Sequence, residues 1–264
     1  MIVADPFALE EEYVTNLGLN VSEHSTQLVE PEYLLRLFLE MNVCFGILAN
    51  LADDLRHLQR SEISEVREYF SGEQVGSSTM PQKRNPWNCE HVKSLWKAFA
   101  PRVMTFFMDQ ISEHQRDLTN SASERFLADY VAGFTAALAR MKKILSGLYI
   151  DRNRMASNMD ATGGMVLSEA AYILLSVSGD PEAHERLRRI TLECERSKTG
   201  LYEALARDEE LIQLISVQLA KTLGIDAKTF FAHPELYKGK AVEKAQSIAD
   251  KYEVIVNNMR EELT

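Results

Sequence analysis

The sequence predicts an all-α protein, built as a long-helix bundle followed by a smaller helical C-terminal domain. Apolar residues recur at alternating intervals of three and four over long stretches, and only stretches of a few residues alternate with period two. The 264 residues include 12 glycines and seven prolines. So few turn-forming residues over this length favour long helices over many short elements.

The first two helices are predicted from the residues that begin and end them. Residues Pro6 to Leu17 form a short helix that Gly18 ends, and Pro31 begins a long helix that reaches about Gln59. The long helix carries a seam of apolar residues at Leu34, Leu37, Met41, Cys44, Leu48, Leu51, Leu55 and Leu58. A second apolar line at Phe38, Phe45 and Ala52 widens this face, so we expect burial on more than one side.

The remaining helices form two groups. Apolar periodicity predicts a helix from Val92 to Phe106, kinked or restarted at Pro101, and a third long helix from Val131 to Leu148. Shorter helices are predicted at residues 167–175, 182–194, 199–206, 211–219 and 240–257. The turn at 178–181 separates the two groups, so we predict a central bundle domain over residues 1–179 and a C-terminal domain over residues 180–264.

Composition narrows the functional classes. A net charge of −10 argues against nonspecific binding to nucleic acid. Cys44, Cys89 and Cys194 are odd in number and lie far apart, which argues against a disulfide frame or a zinc site. The N-terminus does not read as a secretory signal, and no run of residues suggests a membrane span. We therefore expect a cytoplasmic protein that binds neither nucleic acid nor membranes and uses no metal and no cofactor.

The segment 72–86 is the longest polar interruption of the helical pattern. Gly72 and Gly76 allow it mobility, and between Gly76 and Pro86 lie two serines, a lysine, an arginine and an asparagine. Asn85 and Pro86 predict a helix start, with Asn85 as the N-cap and Pro86 as the first helical residue. Because a helix N-terminus favours anions, this segment could hold a carboxylate and place a serine base beside it. The alternative is a flexible surface linker.

The letters of this segment resemble those of a known family. Residues 76–86, G-S-S-T-M-P-Q-K-R-N-P, are similar to the signature loop of the fumarase/aspartase superfamily, G-S-S-x-M-P-x-K-x-N. Within that superfamily, R-D-L-T-N-S at 116–121, continuing to E-R at 124–125, resembles the adenylosuccinate lyases. So do H-L-Q-R-S-E-I at 57–63 and S-T-Q at 25–27. The resemblance covers the whole chain, whereas the family extends beyond it.

The resemblance implies an assembly and a reaction. It implies a homotetramer whose core contains long helices from all four chains and whose active sites are each assembled from three of them. The implied reaction is β-elimination of fumarate from adenylosuccinate, and from the succinylated imidazole carboxamide nucleotide of purine biosynthesis. The partners that it implies are therefore small molecules, namely adenylosuccinate, AMP and fumarate.

The resemblance also implies the site residues. The general base would be Ser77, and Glu90 would support the site from the following helix. The substrate contacts that it implies are Gln27, Ser78, Met80, Lys83, Asn85, Arg116, Ser121 and Arg125. Elementary chemistry agrees with these roles. A lysine stabilises the charge that develops on a carboxylate, and the planar guanidinium of arginine matches the geometry of a phosphate.

Two features depart from the family pattern. The family's general acid is a histidine in a T-H motif that this sequence lacks, and Val29-Glu30-Pro31-Glu32 replaces the family's Pro-Arg-Asp stretch. We therefore expect the chain to correspond to the C-terminal portion of such an enzyme and to be inactive alone, because a poor leaving amine needs an acid as well as a base. Two alternatives stay open. One is another lyase of the superfamily, argininosuccinate lyase or carboxymuconate cycloisomerase, and the other is a non-catalytic helical assembly module.

Overall fold

A computed structural model describes residues 4–24, 29–70, 79–80, 82–112 and 118–262. Within these ranges the chain is helical apart from loops and two strands of two residues each, which confirms the all-α class. Contacts divide the chain into two compact units, residues 1–151 and 152–264. The sequence placed the boundary later, at residues 179 and 180, where the structure has a turn between two helices of the second unit.

The first unit holds the long helices. Its helices are α1 (Pro6–Asn16), α2 (Pro31–Leu58), α3 (Trp87–Phe99), α4 (Val103–Met108) and α5 (Leu127–Ser146). Two short strands, β1 (Val66–Arg67) and β2 (Tyr149–Ile150), pair antiparallel. Single 3₁₀ turns lie at Ala100–Arg102, Leu118–Asn120 and Glu124–Phe126.

The second unit has its own core. Its helices are α6 (Arg152–Asp160), α7 (Ser168–Val177), α8 (Ala183–Ser197), α9 (Leu201–Leu205), α10 (Glu209–Thr222), α11 (Ala227–Ala232) and α12 (Ala241–Glu262). Leu175, Leu205, Ile215 and Phe230 are among the residues that are almost completely buried there. Because α7 packs into this core, the predicted helix at 167–175 belongs to the second unit.

The long helix α2 buries its two predicted apolar lines to different extents. The second line, Phe38, Phe45 and Ala52, is buried against the rest of the first unit. Leu34 and Leu37, at the N-terminal end of the seam, are 48% and 54% exposed, whereas Leu55 near its other end is buried and the seam residues between them are half-buried. Within a single chain, burial of α2 is therefore complete along the second line and only partial along the seam.

Three aromatic residues join α2, α4 and α5. The rings of Phe38, Phe106 and Tyr130 lie 4.8 to 5.6 Å apart, and the Tyr130 hydroxyl is 3.4 Å from the carbonyl oxygen of Phe38. Burial raises the pKa of Tyr130 to about 12. Pro101 lies between α3 and α4, as predicted, because its missing N–H and its ring interrupt the α-helical pattern.

By length and composition, α2 could cross a bilayer, although the sequence was expected to contain no such run. It is the one helix of this kind in the described part of the chain. The same composition suits a helix inside a bundle, because apolar residues on several faces can contact other helices. Six residues of α2 are already buried within the first unit, which favours that interpretation.

Candidate functional site

The structure describes only part of the predicted site. Gln27, Ser77, Ser78 and Arg116 lie outside the described residues, so their roles stay predictions. The described candidates form two groups, and all of them belong to the first unit. The first group lies before and in the first turn of α3 and contains Met80, Lys83, Asn85 and Glu90. The second group lies before α5 and contains Ser121 and Arg125.

The segment before α3 forms a short turn that exposes its cation. The backbone N–H of Lys83 donates to the carbonyl oxygen of Met80 over 3.0 Å, and the Lys83 side chain is exposed. Asn85 is half-buried. Glu90 is exposed in the first turn of α3, and its N–H donates to the carbonyl oxygen of Pro86 over 2.9 Å. An exposed ammonium beside a half-buried amide could contact a carboxylate ligand.

The predicted start of α3 is wrong by one residue. The helix begins at Trp87, and Pro86 precedes it with φ −76° and ψ 55°, outside helical geometry. Proline offers no side-chain acceptor, so α3 has no cap from its own N-cap residue. The N–H groups of Asn88 and Cys89 in its first turn are instead bonded to a residue elsewhere in the chain.

Glu68 supplies that cap. One carboxylate oxygen of Glu68 accepts the N–H of Cys89 over 2.8 Å. The other accepts the N–H and the side-chain Nδ2 of Asn88, over 3.2 and 2.7 Å. These N–H groups of α3 are therefore already bonded to a carboxylate of the protein and are not available to bind a ligand. No sequence pattern predicted the role of Glu68, which lies 20 residues from Asn88.

Asn88 extends the cap to α5. It is 5% exposed, and its Oδ1 accepts a hydrogen bond from Nη1 of Arg140 over 2.8 Å. The Arg140 guanidinium also lies 4.8 Å from the centre of the Trp87 ring, which is a cation–π contact. The beginning of α3 is thus attached to the C-terminal half of α5.

The second group lies at the other end of α5. Arg125 belongs to the 3₁₀ turn before this helix and is exposed, whereas Ser121 is half-buried. Two neighbours fix this region to Asp109, since Ser123 donates to its carboxylate over 2.7 Å and Asn120 donates to its backbone oxygen over 2.8 Å. A cavity of about 200 Å³ adjoins the group and is lined mainly by apolar residues of α2, α4 and α5, together with Asp109, Asn120 and Glu124.

The two groups are separated along α5. Helices α3 and α5 are antiparallel, because Arg140 contacts Asn88 at the beginning of α3 whereas Asp129 pairs with Arg102 just beyond its end. Arg140 lies 13 residues after Leu127, the first residue of α5, which corresponds to about 20 Å of helix. The structure therefore does not bring the two groups into one pocket of the first unit. Asn85 lines one small cavity, and residues next to Ser121 line another.

A cluster of three charged residues, Asp53, Arg56 and Lys93, joins α2 to α3. The carboxylate of Asp53 accepts from Nζ of Lys93 over 2.5 Å and from Nη2 of Arg56 over 2.7 Å. These bonds, that of Lys93 first, lower the pKa of Asp53 to about 2. Within the described ranges, no three side chains of histidine, cysteine, aspartate or glutamate are arranged to hold a metal ion.

Comparisons with known proteins match two consecutive parts of the chain. A family model described as "Lyase" matches residues 3–104, and one described as "Adenylosuccinate lyase C-terminal" matches residues 112–223. The adenylosuccinate lyase of Pyrococcus abyssi is 30% identical over 250 residues, which are 94% of this chain and 54% of that protein. The adenylosuccinate lyase of Aquifex aeolicus is 30% identical over 215 residues, which are 80% and 48% of the two chains. The chain thus spans about half the length of these relatives.

Solved structures share the fold. The 3-carboxy-cis,cis-muconate lactonizing enzyme of Pseudomonas putida matches 79% of this chain and 46% of its own, with a TM-score of 0.68 and 25% identity. A fumarate lyase of Mesorhizobium sp. BNC1 matches 89% and 50% of the two chains, with a TM-score of 0.72 and 22% identity. Both alignments, like those with the relatives, cover about half of the longer protein.

Proposed function

Because the chain belongs to the fumarase/aspartase superfamily of lyases, we propose that it is the signature-loop portion of an adenylosuccinate lyase. Such an enzyme eliminates fumarate from adenylosuccinate, and from the succinylated imidazole carboxamide nucleotide. One observation carries the proposal: the blocks at 76–86 and 116–125 occur together in a chain that is 30% identical over 94% of its length to a protein named adenylosuccinate lyase.

The proposed chemistry divides between a base, a charge-stabilising pair and an acid. Ser77, as the base, takes a proton from the carbon next to a succinyl carboxylate, and the carbon–nitrogen bond then breaks to give fumarate and AMP. Lys83 and Asn85 stabilise the charge that builds on the carboxylate, which lowers the barrier only if they are already in place. The leaving nitrogen needs a proton from a general acid, which we assign to a segment outside this sequence.

The other end of the substrate would be held by Arg116, Ser121 and Arg125. Arg125 is exposed before α5 and can offer its guanidinium to a phosphate. Since it lies about 20 Å along α5 from the contact between α5 and the beginning of α3, we propose that different chains contribute the two groups to one site. The exposed apolar residues of α2 support a homotetramer, because such a surface needs a partner.

Solution mass tests the assembly. Glutamate at Val43 or Ile47, which are 61% and 62% exposed on α2, should lower the mass of a tetramer. The matched control is Val177→Glu, at a valine that is 67% exposed in the second unit and should leave the mass unchanged. A wild-type chain that is a monomer at all concentrations would contradict the shared site.

Complementation tests the reaction. The purified chain is mixed with the N-terminal half of the Pyrococcus abyssi relative, and fumarate release from adenylosuccinate is measured. We expect no activity from either part alone and activity from the mixture, which Ser77→Ala lowers by at least about 100-fold because a general base is lost. Activity of this chain alone, or full activity of the Ser77→Ala mixture, would overturn the assignment. The second outcome would favour a non-catalytic assembly module.

The second candidate is a carboxymuconate cycloisomerase. The 25% identity to the Pseudomonas putida lactonizing enzyme favours it among the other lyases. The two candidates differ in the ligand that they need, because only the first binds a nucleotide. Binding of AMP to the chain, lost in Arg125→Ala, supports the first, whereas turnover of a carboxymuconate by the complemented enzyme would establish the second.

A further inference from the structure

Glu68 lies close to the predicted loop, and its carboxylate is bonded to the first turn of α3. It accepts three hydrogen bonds from two consecutive residues, Asn88 and Cys89, over 2.7 to 3.2 Å. Both of its oxygens are engaged, and they lie at the positive end of the α3 dipole. Hydrogen bonds to a charged acceptor are the stronger kind, so this contact holds the first turn of α3 firmly.

Glu68 is itself held in place. Its backbone N–H donates to Oε1 of Gln59 over 2.9 Å, and Nε2 of Gln59 donates to the carbonyl oxygen of Leu55 over 3.2 Å. Glu68 also directly follows β1, which is paired with β2. The carboxylate therefore attaches the beginning of α3 to the end of α2, while the contact between Asn88 and Arg140 attaches it to α5.

This attachment reaches the candidate ligands of the loop. Only Pro86 and Trp87 lie between Asn85 and Asn88, and both have little freedom. The φ of Pro86 is fixed by its ring, and the Trp87 ring lies against Arg140. A shift of the first turn of α3 would thus carry Asn85 and Lys83 with it.

We propose that Glu68 is a positioning residue of the lyase site: it clamps the first turn of α3 and thereby fixes Lys83 and Asn85. The part that concerns the lyase site rests on the proposed function. The clamp has a consequence for recognition, because it occupies the N–H groups of Asn88 and Cys89. A carboxylate of the substrate must therefore be held by the side chains of Lys83 and Asn85 and not by these two N–H groups of α3.

Local exchange of amide hydrogens in this chain tests the clamp without any activity. Glu68→Gln removes the charge, and Glu68→Asp keeps it but draws the carboxylate back by one methylene. Both should speed exchange of the Asn88 and Cys89 amides, and of the Lys83 amide, at least tenfold. Glu62→Gln is the matched control, since it removes a charge from an exposed side chain of the same connection and should leave exchange unchanged.

Thiol labelling is a second way to measure whether the first turn of α3 loosens when Glu68 is changed. Cys89 is fully buried next to the Glu68 carboxylate, so Glu68→Asp, which keeps the negative charge that also raises the pKa of this thiol, should label it at least tenfold faster than wild type. Cys194, buried in the second unit, is the internal control and should keep its rate. Faster exchange at Asn88 and Cys89 with an unchanged Lys83 amide would reduce Glu68 to a helix cap and overturn the proposal. So would unchanged exchange and labelling throughout.

The complemented enzyme separates positioning from stability. Glu68→Gln should lower kcat at least tenfold while KM changes less than threefold and the unfolding midpoint stays close to that of Glu62→Gln. An unchanged kcat would overturn the positioning role. If the wild-type mixture is itself inactive, the proposed lyase function fails, whereas the exchange rates still decide whether Glu68 fixes Lys83.

Discussion

Gly133 of α5 lies against the ring of Phe99, the last residue of α3, and its replacement tests how these helices pack. A Cβ atom at Gly133 would lie 2.5 to 2.6 Å from three carbons of the Phe99 ring, which is closer than real contacts allow. The guanidinium of Arg102 lies 4.6 Å from the centre of the same ring. The Phe99 ring would have to move to make room for the Cβ atom, and its contact with Arg102 opposes that movement.

Two opposing terms set the effect of Gly133→Ala. Alanine is favoured over glycine inside a helix by about 1 kcal/mol. Overpacking of a core typically costs about 1–3 kcal/mol, so the net result should be a loss of roughly 1 kcal/mol. In a Phe99→Ala background the clash is absent, and the same substitution should instead stabilise the unit by about 1 kcal/mol. The sign of the effect should thus depend on Phe99.

Urea unfolding followed by tryptophan fluorescence measures this effect. Both tryptophans of the chain, Trp87 and Trp96, lie in α3, so their signal reports the first unit. The matched control is Gly46→Ala in α2, where no heavy atom lies within 4 Å of the new Cβ, and it should stabilise the unit. If Gly133→Ala stabilises wild type as much as Gly46→Ala does, the close approach of Gly133 to Phe99 is refuted.

Three further predictions follow from the structure. The bond to Lys93 lowers the pKa of Asp53 from 3.8 to about 2, so its stabilising contribution is complete above about pH 4 and is lost as the pH falls towards 2. The difference in urea midpoint between wild type and Asp53→Asn should therefore narrow as the pH falls from about 4 towards 2. A difference that stays constant would show that ionised Asp53 does not stabilise the first unit. Among the cysteines, half-buried Cys44 should react with a thiol reagent well before Cys89, whose pKa is raised by burial, and mass spectrometry of the labelled peptides gives the order. Helix α12 has no buried residue, so deletion of residues 241–264 should shift the unfolding midpoint of the second unit only slightly, as circular dichroism can measure.

The sequence predicted most of the helices because their signals are local. Pro31 begins α2, Pro101 separates α3 from α4, and Gly18 follows α1 with a φ of +70°, which glycine adopts without strain. Helices α6 and α11 were missed, because the first is mostly polar and the second has only six residues. Neither offers the apolar periodicity over several turns on which a sequence-based assignment depends.

The sequence could not tell which apolar line of α2 faces the chain itself. Phe38 and Phe45 are buried, whereas Leu34 and Leu37 of the more regular seam are half exposed. Periodicity reports that a face needs a partner but not which helix, or which chain, provides it. The same limit concealed Glu68, because a cap supplied from 20 residues away leaves no pattern at the helix start.

The separation of the two candidate groups follows from the antiparallel packing of α3 against α5. Arg140 attaches the beginning of α3 to the C-terminal half of α5, and Lys83 and Asn85 precede that helix start by only a few residues. Because α5 is continuous helix from Leu127 to Ser146, its other end, with Arg125 just before it, lies about 20 Å from this contact. As long as α3 and α5 stay packed together, one chain cannot bring the first group to the carboxylate and the second group to the phosphate of the same ligand. The antiparallel packing of α3 against α5 thus accounts for the separation of the two groups and, with it, for the proposed need for a second copy.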